Sequence, residues 1–207
     1  TLDRSSAASD VYKRQFINSE ATVERNGKQY QVKLETQFPL NGIISITISG
    51  KDCSKIAIRH PAWSSGVKVK KNGREIFCER SESGYILVDL DTQEINRIDL
   101  EFQMEPIVIA ANRKISYDAR KAAIIMGPLL YCFESIDNGS EIEELGLYAQ
   151  GELETKRNSI AGKEINTIYA KGTRRRELEG DTLYGVYQEM KEDVKLTAIP
   201  YFLWNNR

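Results

Sequence analysis

Residues 122–134, with the sequence Ala-Ala-Ile-Ile-Met-Gly-Pro-Leu-Leu-Tyr-Cys-Phe-Glu, form the longest apolar run of the chain. The Gly127-Pro128 pair interrupts this run, because proline has no N–H to donate to a sheet and glycine tolerates a sharp bend. The pattern therefore predicts two short buried strands joined at a kink. Polar, strand-like sequence lies on both sides, so we expect the run to be a core element shared by flanking sheets.

Outside this run, apolar and polar residues alternate with a period of two. Isoleucine alternates with serine or threonine over residues 44–49, and apolar residues alternate with polar ones over residues 98–104. Asn26-Gly27 and Asn72-Gly73 are pairs that supply the positive φ angles of tight hairpin turns. Short strands at turn-punctuated spacing, with almost no helical period, predict an all-β fold with an antiparallel sandwich followed by a second, smaller sheet.

Composition and charge exclude several classes of partner. The 207 residues include 29 basic and 30 acidic side chains, a balance that does not favour nucleic acid or an anionic membrane as a partner. No apolar run approaches the roughly 20 residues that span a bilayer, and the first residues lack the order of a signal peptide. We therefore expect no nucleic-acid and no membrane partner, while the cellular compartment stays unassigned.

The first fifteen residues differ from the rest. Asp10-Val-Tyr-Lys-Arg-Gln15 resembles the translation of a sequencing-library adapter, and residues 1–9 have neither a strand nor a helix period. We interpret residues 1–15 as a disordered remnant of cloning or assembly, which predicts that the natural protein continues upstream. A genuine disordered N-terminal tail is the alternative.

Single residues that could carry chemistry are few. His60 is the only histidine, and between Arg59 and Pro61 it is expected to be a packed turn residue, because a metal or acid–base site needs partners. Cys53, Cys78 and Cys132 are widely spaced. Free cysteines of this kind are usually buried small side chains rather than metal ligands.

Two charged clusters and one aromatic set are further candidates. Glu141, Glu143 and Glu144 could pair as acid and base, yet close-spaced loop carboxylates usually form a solvated surface. Arg174–Arg176 could bind an anion, but the acidic residues that follow predict a charge-balanced loop. Those acidic residues are Glu177, Glu179 and Asp181. Aromatic side chains that could stack on sugar rings, but are more often core, are Trp63, Tyr85, Tyr184 and Tyr187.

Five motifs occur in an order that resembles the C-terminal region of glycoside hydrolase family 127, the β-L-arabinofuranosidase family. They are Arg59-His60-Pro61-Ala62-Trp63, Asn72-Gly73, Gly84-Tyr85, Gly127–Glu134 and Ile199–Arg207. The resemblance covers the chain from Phe16 onward. It departs from the family pattern at His60, where an aliphatic residue is expected, and over residues 91–96, which lack a Trp-x-x-Gly-Asp turn.

The resemblance implies an architecture. Family members resemble an (α/α)6 barrel followed by two β-sandwiches, with the chain returning at its end to the first sandwich. On this pattern, residues 16–112 and 194–207 form the first sandwich and residues 113–193 form a second, smaller one. The apolar end, Pro200-Tyr-Phe-Leu-Trp204, agrees with a buried terminus.

The resemblance also implies a chemistry that lies outside this chain. Family members are similar in using a zinc-bound cysteine thiolate as nucleophile and a glutamate as acid/base, both in the barrel. No residue of this chain matches those motifs, so the expected catalytic, cofactor-binding and metal-ligand sets are empty, and zinc is expected only in the missing catalytic domain.

Two functions remain open. The chain is either the non-catalytic part of an arabinofuranosidase-like enzyme that acts on arabinose-containing glycans, or an independent carbohydrate-binding or scaffold module. In the first case its main partner is its own N-terminal barrel, and homo-oligomer formation is open in both.

Overall fold

The computed structural model describes residues 10–13, 15–25, 27–51, 53–175, 184 and 191–206. The chain divides into two compact units, Thr1–Met104 and Glu105–Arg207. Almost all regular structure in the described residues is strand, which confirms the predicted all-β class. None of the described helices is long and apolar enough to span a membrane.

The described part of the first unit forms two sheets. Its strands, in chain order, are β1 (Asp10–Lys13), β2 (Ser19–Arg25), β3 (Lys28–Thr36), β4 (Ile43–Ser49), β5 (Lys55–Arg59), β6 (Val67–Lys71), β7 (Arg74–Ile76), β8 (Tyr85–Asp89) and β9 (Ile95–Phe102). The larger sheet has the order β2-β3-β4-β9-β6-β7, and the smaller has the order β1-β5-β8. All pairings are antiparallel except β1 with β5, which is parallel.

The core of the first unit is one apolar cluster to which both sheets contribute. Leu34, Ile46 and Ile98 come from the larger sheet, and Ile56 and Ile86 come from the smaller one. Each of these side chains is at most 1% exposed. The alternation in the sequence has the expected result, since every second residue of β4 and β9 is buried. The first unit is therefore a sandwich.

The two hairpins predicted at asparagine–glycine pairs are present. β2 pairs with β3 across Gly27, whose φ is +71°, and β6 pairs with β7 across Asn72 and Gly73, with φ angles of 49° and 80°. Successive positive φ angles give the turn a twist that matches the flanking strands.

The described part of the second unit forms one antiparallel sheet. Its strands are β10 (Pro106–Ala110), β11 (Ala122–Met126), β12 (Leu129–Phe133), β13 (Leu145–Leu147), β14 (Leu153–Ile160), β15 (Lys163–Arg175) and β16 (Lys191–Pro200). The order is β10-β11-β12-β16-β15-β13, and β14 also pairs with β15. β10 approaches β14, so the sheet curls until its two ends lie close together. A one-turn helix, α1 (Ser135–Asn138), follows β12.

The apolar run at residues 122–134 is the β11–β12 hairpin. Met126 faces Leu129 in the register, and Gly127 has a φ of +58° at the turn, so the predicted kink is a tight reversal. Ile124, Met126 and Tyr131 are buried, whereas Leu130 is 44% exposed. The run therefore belongs to one sheet of one unit, and the prediction that flanking sheets share it is wrong.

Two predicted boundaries are also wrong. The first sandwich was expected to extend to Asn112, but β10 pairs with β11, which places the division after Met104. Residues 194–207 were expected to return to the first sandwich. Instead, β16 pairs with β15 and β12 of the second unit, where Leu196 and Ala198 are buried. The predicted burial of the apolar end holds for Pro200 and Leu203 but is wrong for Tyr201, Phe202 and Trp204, which are 44–54% exposed.

The sequence of residues 136–176 is polar and rich in glycine, which predicts long loops with only residues 165–170 strand-like. The structure instead has an extended β14–β15 hairpin that turns at Ala161-Gly162, with φ angles of 51° and 72°. β14 was not predicted from the sequence, because most of its residues are exposed and apolar residues therefore show little alternation along it.

The N-terminal segment was expected to be disordered throughout residues 1–15. Residues 10–13 form β1 in register with β5, so disorder is wrong for those four residues. Residues 1–9 lie outside the described part of the chain, and the adapter origin of the segment stays a prediction.

Candidate functional site

His60 is enclosed in the core of the first unit. Its side chain is 8% exposed, and its ring meets Phe102 edge-on at 5.8 Å between centroids. Burial, and then the positive charge of Arg80, lower the pKa of His60, and the Nδ1 atom has no hydrogen-bond partner in the described residues. An enclosed imidazole that burial favours in its neutral form, and that packs against Phe102, has the features of a packing residue.

The aromatic candidates do not form a platform. Trp63 stacks on Phe38 at 6.0 Å and meets Phe102 at 5.9 Å, so it packs against the core of the first unit. Tyr85 is half-buried on β8, while Tyr184 is 93% exposed in the second unit. Tyr187 lies outside the described residues.

No disulfide joins the three described cysteines, which lie in different parts of the fold. Cys53 is buried before β5, Cys78 follows β7 and Cys132 lies on β12. Burial raises the pKa of the Cys78 thiol, which opposes formation of the reactive thiolate. Within the described ranges, no three His, Cys, Asp or Glu side chains converge on a position that could hold a metal ion. These residues do not fit a zinc site.

The charged clusters are structural. The guanidinium of Arg174 donates to the carbonyl oxygen of Asn138 at the end of α1, and Arg175 lies 4.0 Å from the Glu144 carboxylate. Glu141 and Glu143 are exposed. Arg176 and the acidic residues predicted to balance it fall outside the described residues. The partners seen here, Asn138 and Glu144, lie about 30 or more positions earlier in the sequence.

A cleft lined mostly by polar and aromatic side chains of the second unit was not predicted. It has a volume of about 710 Å³, and the outward face of β15 and β16 forms its floor. Tyr148 and Glu152, which follow β13, form one wall. Its polar and aromatic lining side chains are Tyr148, Glu152, Glu154, Tyr169, Lys171, Asp193 and Lys195.

Strand register explains why these side chains meet. Tyr169 pairs with Glu154 on one side and with Thr197 on the other, and Lys171 pairs with Lys195. Because directly paired residues and residues two apart share a face, β14, β15 and β16 present these groups on the same side of the sheet. The opposite side carries the buried Ala170 and Leu196.

Hydrogen bonds hold both tyrosines of the cleft at their hydroxyl ends. The Tyr148 hydroxyl donates to Asp193 Oδ1 at 2.7 Å, and Asn158 Nδ2 donates to the Tyr169 hydroxyl at 3.1 Å. The Lys195 ammonium lies 4.5 Å from the centroid of the Tyr169 ring. The bond to Asp193 raises the pKa of Tyr148, so this phenol stays a neutral donor. The cleft therefore presents two oriented tyrosine rings beside carboxylate and ammonium groups.

Local patterns could not have found this cleft. Tyr169 lies in the segment that the sequence marked as strand-like, but Tyr148 and Asp193 are 45 positions apart and carry no recognisable spacing. Tyr148 and Asp193 are brought to β15 by long-range contacts. β16, which carries Asp193, pairs with β15, and the backbone N–H of Tyr148 donates to the carbonyl oxygen of Lys171.

Comparison with known families gives a consistent result over nearly the whole chain. The family model described as "Beta-L-arabinofuranosidase, GH127 middle domain" matches residues 10–104. A second family model, "Glycoside hydrolase family 127 C-terminal domain", matches residues 106–207. The boundary between the two matches coincides with the division after Met104.

A curated relative and several solved structures are similar to this chain. A non-reducing end β-L-arabinofuranosidase from Bifidobacterium longum subsp. longum is 27% identical, over 95% of this chain and 31% of the relative. The crystal structure of a GH127 β-L-arabinofuranosidase from Geobacillus stearothermophilus T6 matches 98% of this chain and 32% of its own length, with 26% identity and a TM-score of 0.84. A structure titled "Glycoside hydrolase" matches 95% of this chain and 34% of its own length, with 22% identity and a TM-score of 0.80, which shows the fold alone. This chain thus spans about a third of the length of these relatives.

Proposed function

Because this chain belongs to glycoside hydrolase family 127 and matches the non-catalytic C-terminal part of its relatives, we propose that it serves as that part of a β-L-arabinofuranosidase. The enzyme would act on arabinose-containing glycans. The observation that carries this proposal is the tandem match of a middle and a C-terminal domain, in family order and with almost no gap, over residues 10–207. An independent carbohydrate-binding or scaffold module is not favoured, since the relatives carry this region within longer chains.

The proposed division of labour follows from the chemistry of the described residues. They offer no cluster of metal ligands, and the imidazole of His60 is enclosed and without an acidic partner. Zinc and the nucleophile would belong to an N-terminal catalytic barrel, and the sheets of this chain would brace that barrel. Rigid two-layer sheet structure suits a bracing role because close-packed interiors transmit strain rather than absorb it.

Hydrolysis assays test the non-catalytic assignment. The purified 207-residue chain, with and without added zinc, is expected to release no aryl group from an aryl β-L-arabinofuranoside above the buffer rate. The full-length Bifidobacterium longum relative, assayed in parallel, is the positive control. Zinc-dependent turnover by this chain would contradict the assignment, because it would require a metal site among these residues.

The coding sequence tests the proposed context. An open reading frame that continues upstream of Phe16, and encodes a helical barrel with an adjacent cysteine pair, is the expected result. A start codon close to Phe16 would contradict a larger enzyme. Light scattering of the purified chain at several concentrations tests homo-oligomer formation, which the proposed bracing role does not require.

A further inference from the structure

The cleft on the second unit has the features of a ligand site rather than of a random surface depression. Tyr148 is 44% exposed, yet the bond from its hydroxyl to Asp193 fixes the far end of the ring. A side chain that is already oriented loses little conformational entropy when a ligand binds. An exposed aromatic ring that is held at its tip is therefore a preorganised contact surface.

The charges that line the cleft are nearly balanced. Glu152, Glu154 and Asp193 supply three carboxylates, while Lys171 and Lys195 supply two ammonium groups, and Lys156 lies 2.9 Å from Glu154. A phosphate, a polyanion or a cationic peptide would meet like charges at close range, which is unfavourable. A neutral ligand that both donates and accepts hydrogen bonds meets no such repulsion.

The charged side chains of the cleft can form hydrogen bonds with a neutral ligand of this kind. Within the described part of the chain, neither the Glu152 carboxylate nor the Lys171 ammonium has a hydrogen bond or an ion pair to another side chain. A carboxylate only accepts and an ammonium only donates, so together they can satisfy hydroxyl groups, which do both. Tyrosine rings favour apolar C–H surface. Saccharides combine these two surfaces.

We propose that this cleft is a binding subsite for a neutral saccharide, with a sugar ring against Tyr148 and its hydroxyls bonded to the carboxylates and lysines around Tyr169. Binding at this subsite needs neither hydrolysis nor zinc. The proposed function guides only the choice of the first probe. Glycan held here would stay attached to the chain between catalytic events elsewhere.

Titration of the 207-residue chain with arabino-oligosaccharides, followed by calorimetry and by amide chemical shifts, tests the proposal. Saturable binding with a millimolar or lower Kd is expected, with shifts confined to the residues around 145–154, 169–172 and 193–196. Cello-oligosaccharides form a second arm. Binding of cello-oligosaccharides alone would support the subsite but count against an arabinose-containing glycan as the enzyme's substrate.

Variants separate the cleft from nonspecific adhesion. Tyr148→Ala is expected to weaken binding about tenfold, and Tyr148→Phe, which keeps the ring but loses the bond to Asp193, should weaken it by less. Tyr117→Ala is the matched control, since this tyrosine is 89% exposed, lies in the same unit and does not line the cleft. It should leave the Kd unchanged.

Lys171→Gln gives a second test that does not depend on the tyrosine, since this exposed side chain makes no contact that the fold needs. It should weaken binding severalfold without shifting the thermal melt. The proposal is overturned if neither sugar binds saturably up to about 10 mM, a range that covers weak sites. It is also overturned if the cleft variants bind as tightly as the control. Either result would leave the proposed function standing, since that is tested by hydrolysis and by the upstream sequence.

Discussion

Replacing His60 with isoleucine is expected to stabilise the first unit and to remove part of its sensitivity to acid. The Nδ1 atom is buried without a hydrogen-bond partner in the described residues, and an unsatisfied buried polar atom costs about 1–3 kcal/mol. Isoleucine has a similar volume but loses the edge contact with Phe102, worth about 0.5–1.5 kcal/mol. The net expected gain in the free energy of unfolding is about 1 kcal/mol near pH 7.5.

The gain should grow as the pH falls. Burial lowers the pKa of His60 in the folded state, so the unfolded state takes up a proton first. Stability from this group is therefore complete above the unfolded pKa of about 6.5 and is lost as the pH falls toward the folded pKa. One histidine changes the free energy of unfolding by at most about 1.4 kcal/mol per pH unit, or about 2 kcal/mol between pH 6.5 and 5.

The chain permits a clean assay because it has one histidine and two tryptophans. In a Trp204→Phe background, the fluorescence of Trp63, which packs against Phe102, reports on the first unit during urea unfolding. Measurements at pH 7.5, 6.0 and 5.0 give the pH slope. Above about pH 5, carboxylates contribute little to the pH slope of stability, because the reference pKa of a carboxyl group is near 4.

Ile58→Val is the matched control, because Ile58 is 0% exposed in the same core. It should lower stability by about 0.5–1.5 kcal/mol and leave the pH slope unchanged. Equal slopes for the parent protein and for His60→Ile would refute the role assigned to protonation. A clear loss of stability in His60→Ile at pH 7.5 would refute the claim that the unpartnered nitrogen destabilises the core.

Three further changes test the second unit. Deleting Pro200–Arg207 removes the last residue of β16 and the buried Leu203, and should give dye-binding, non-cooperative unfolding of this unit. An unchanged sharp melt would show that the core of this unit does not need these residues. Asn138→Ala removes two bonds to Thr197, at 2.9 and 2.8 Å, and should cost about 2–4 kcal/mol in urea unfolding, with a loss below about 0.5 kcal/mol counting against the bridge. Gly172→Ala would press its Cβ against the Gly146 carbonyl oxygen, and should lower the Tm by several degrees or prevent folding. An unshifted Tm would show that β13 moves away from the added methyl group at no cost in stability.

Local patterns predicted the strands in which one face is buried and the other is exposed. The alternation over residues 44–49 and 98–104 became β4 and β9, and Asn72-Gly73 formed the expected turn. β14 was missed because its exposed residues carry no alternation. The sequence also indicated packing for His60 and catalysis for no residue. The enclosed imidazole, whose Nδ1 has no hydrogen-bond partner in the described residues, agrees with the first interpretation, while the absence of catalytic residues remains a prediction for the hydrolysis assay.

What the sequence determined by itself was the all-β class, the two short strands at residues 122–134 and the family, because each depends on residues that are close together or in a recognisable order. Tertiary structure alone decided where β16 pairs and which side chains meet around Tyr169. Strands separated by tens of residues choose their neighbours through register and burial, which no local pattern encodes. The apolar composition of the chain end predicted burial, yet Tyr201, Phe202 and Trp204 are 44–54% exposed. Only the pairing of residues 191–200 with β12 and β15 shows that this end completes the second unit.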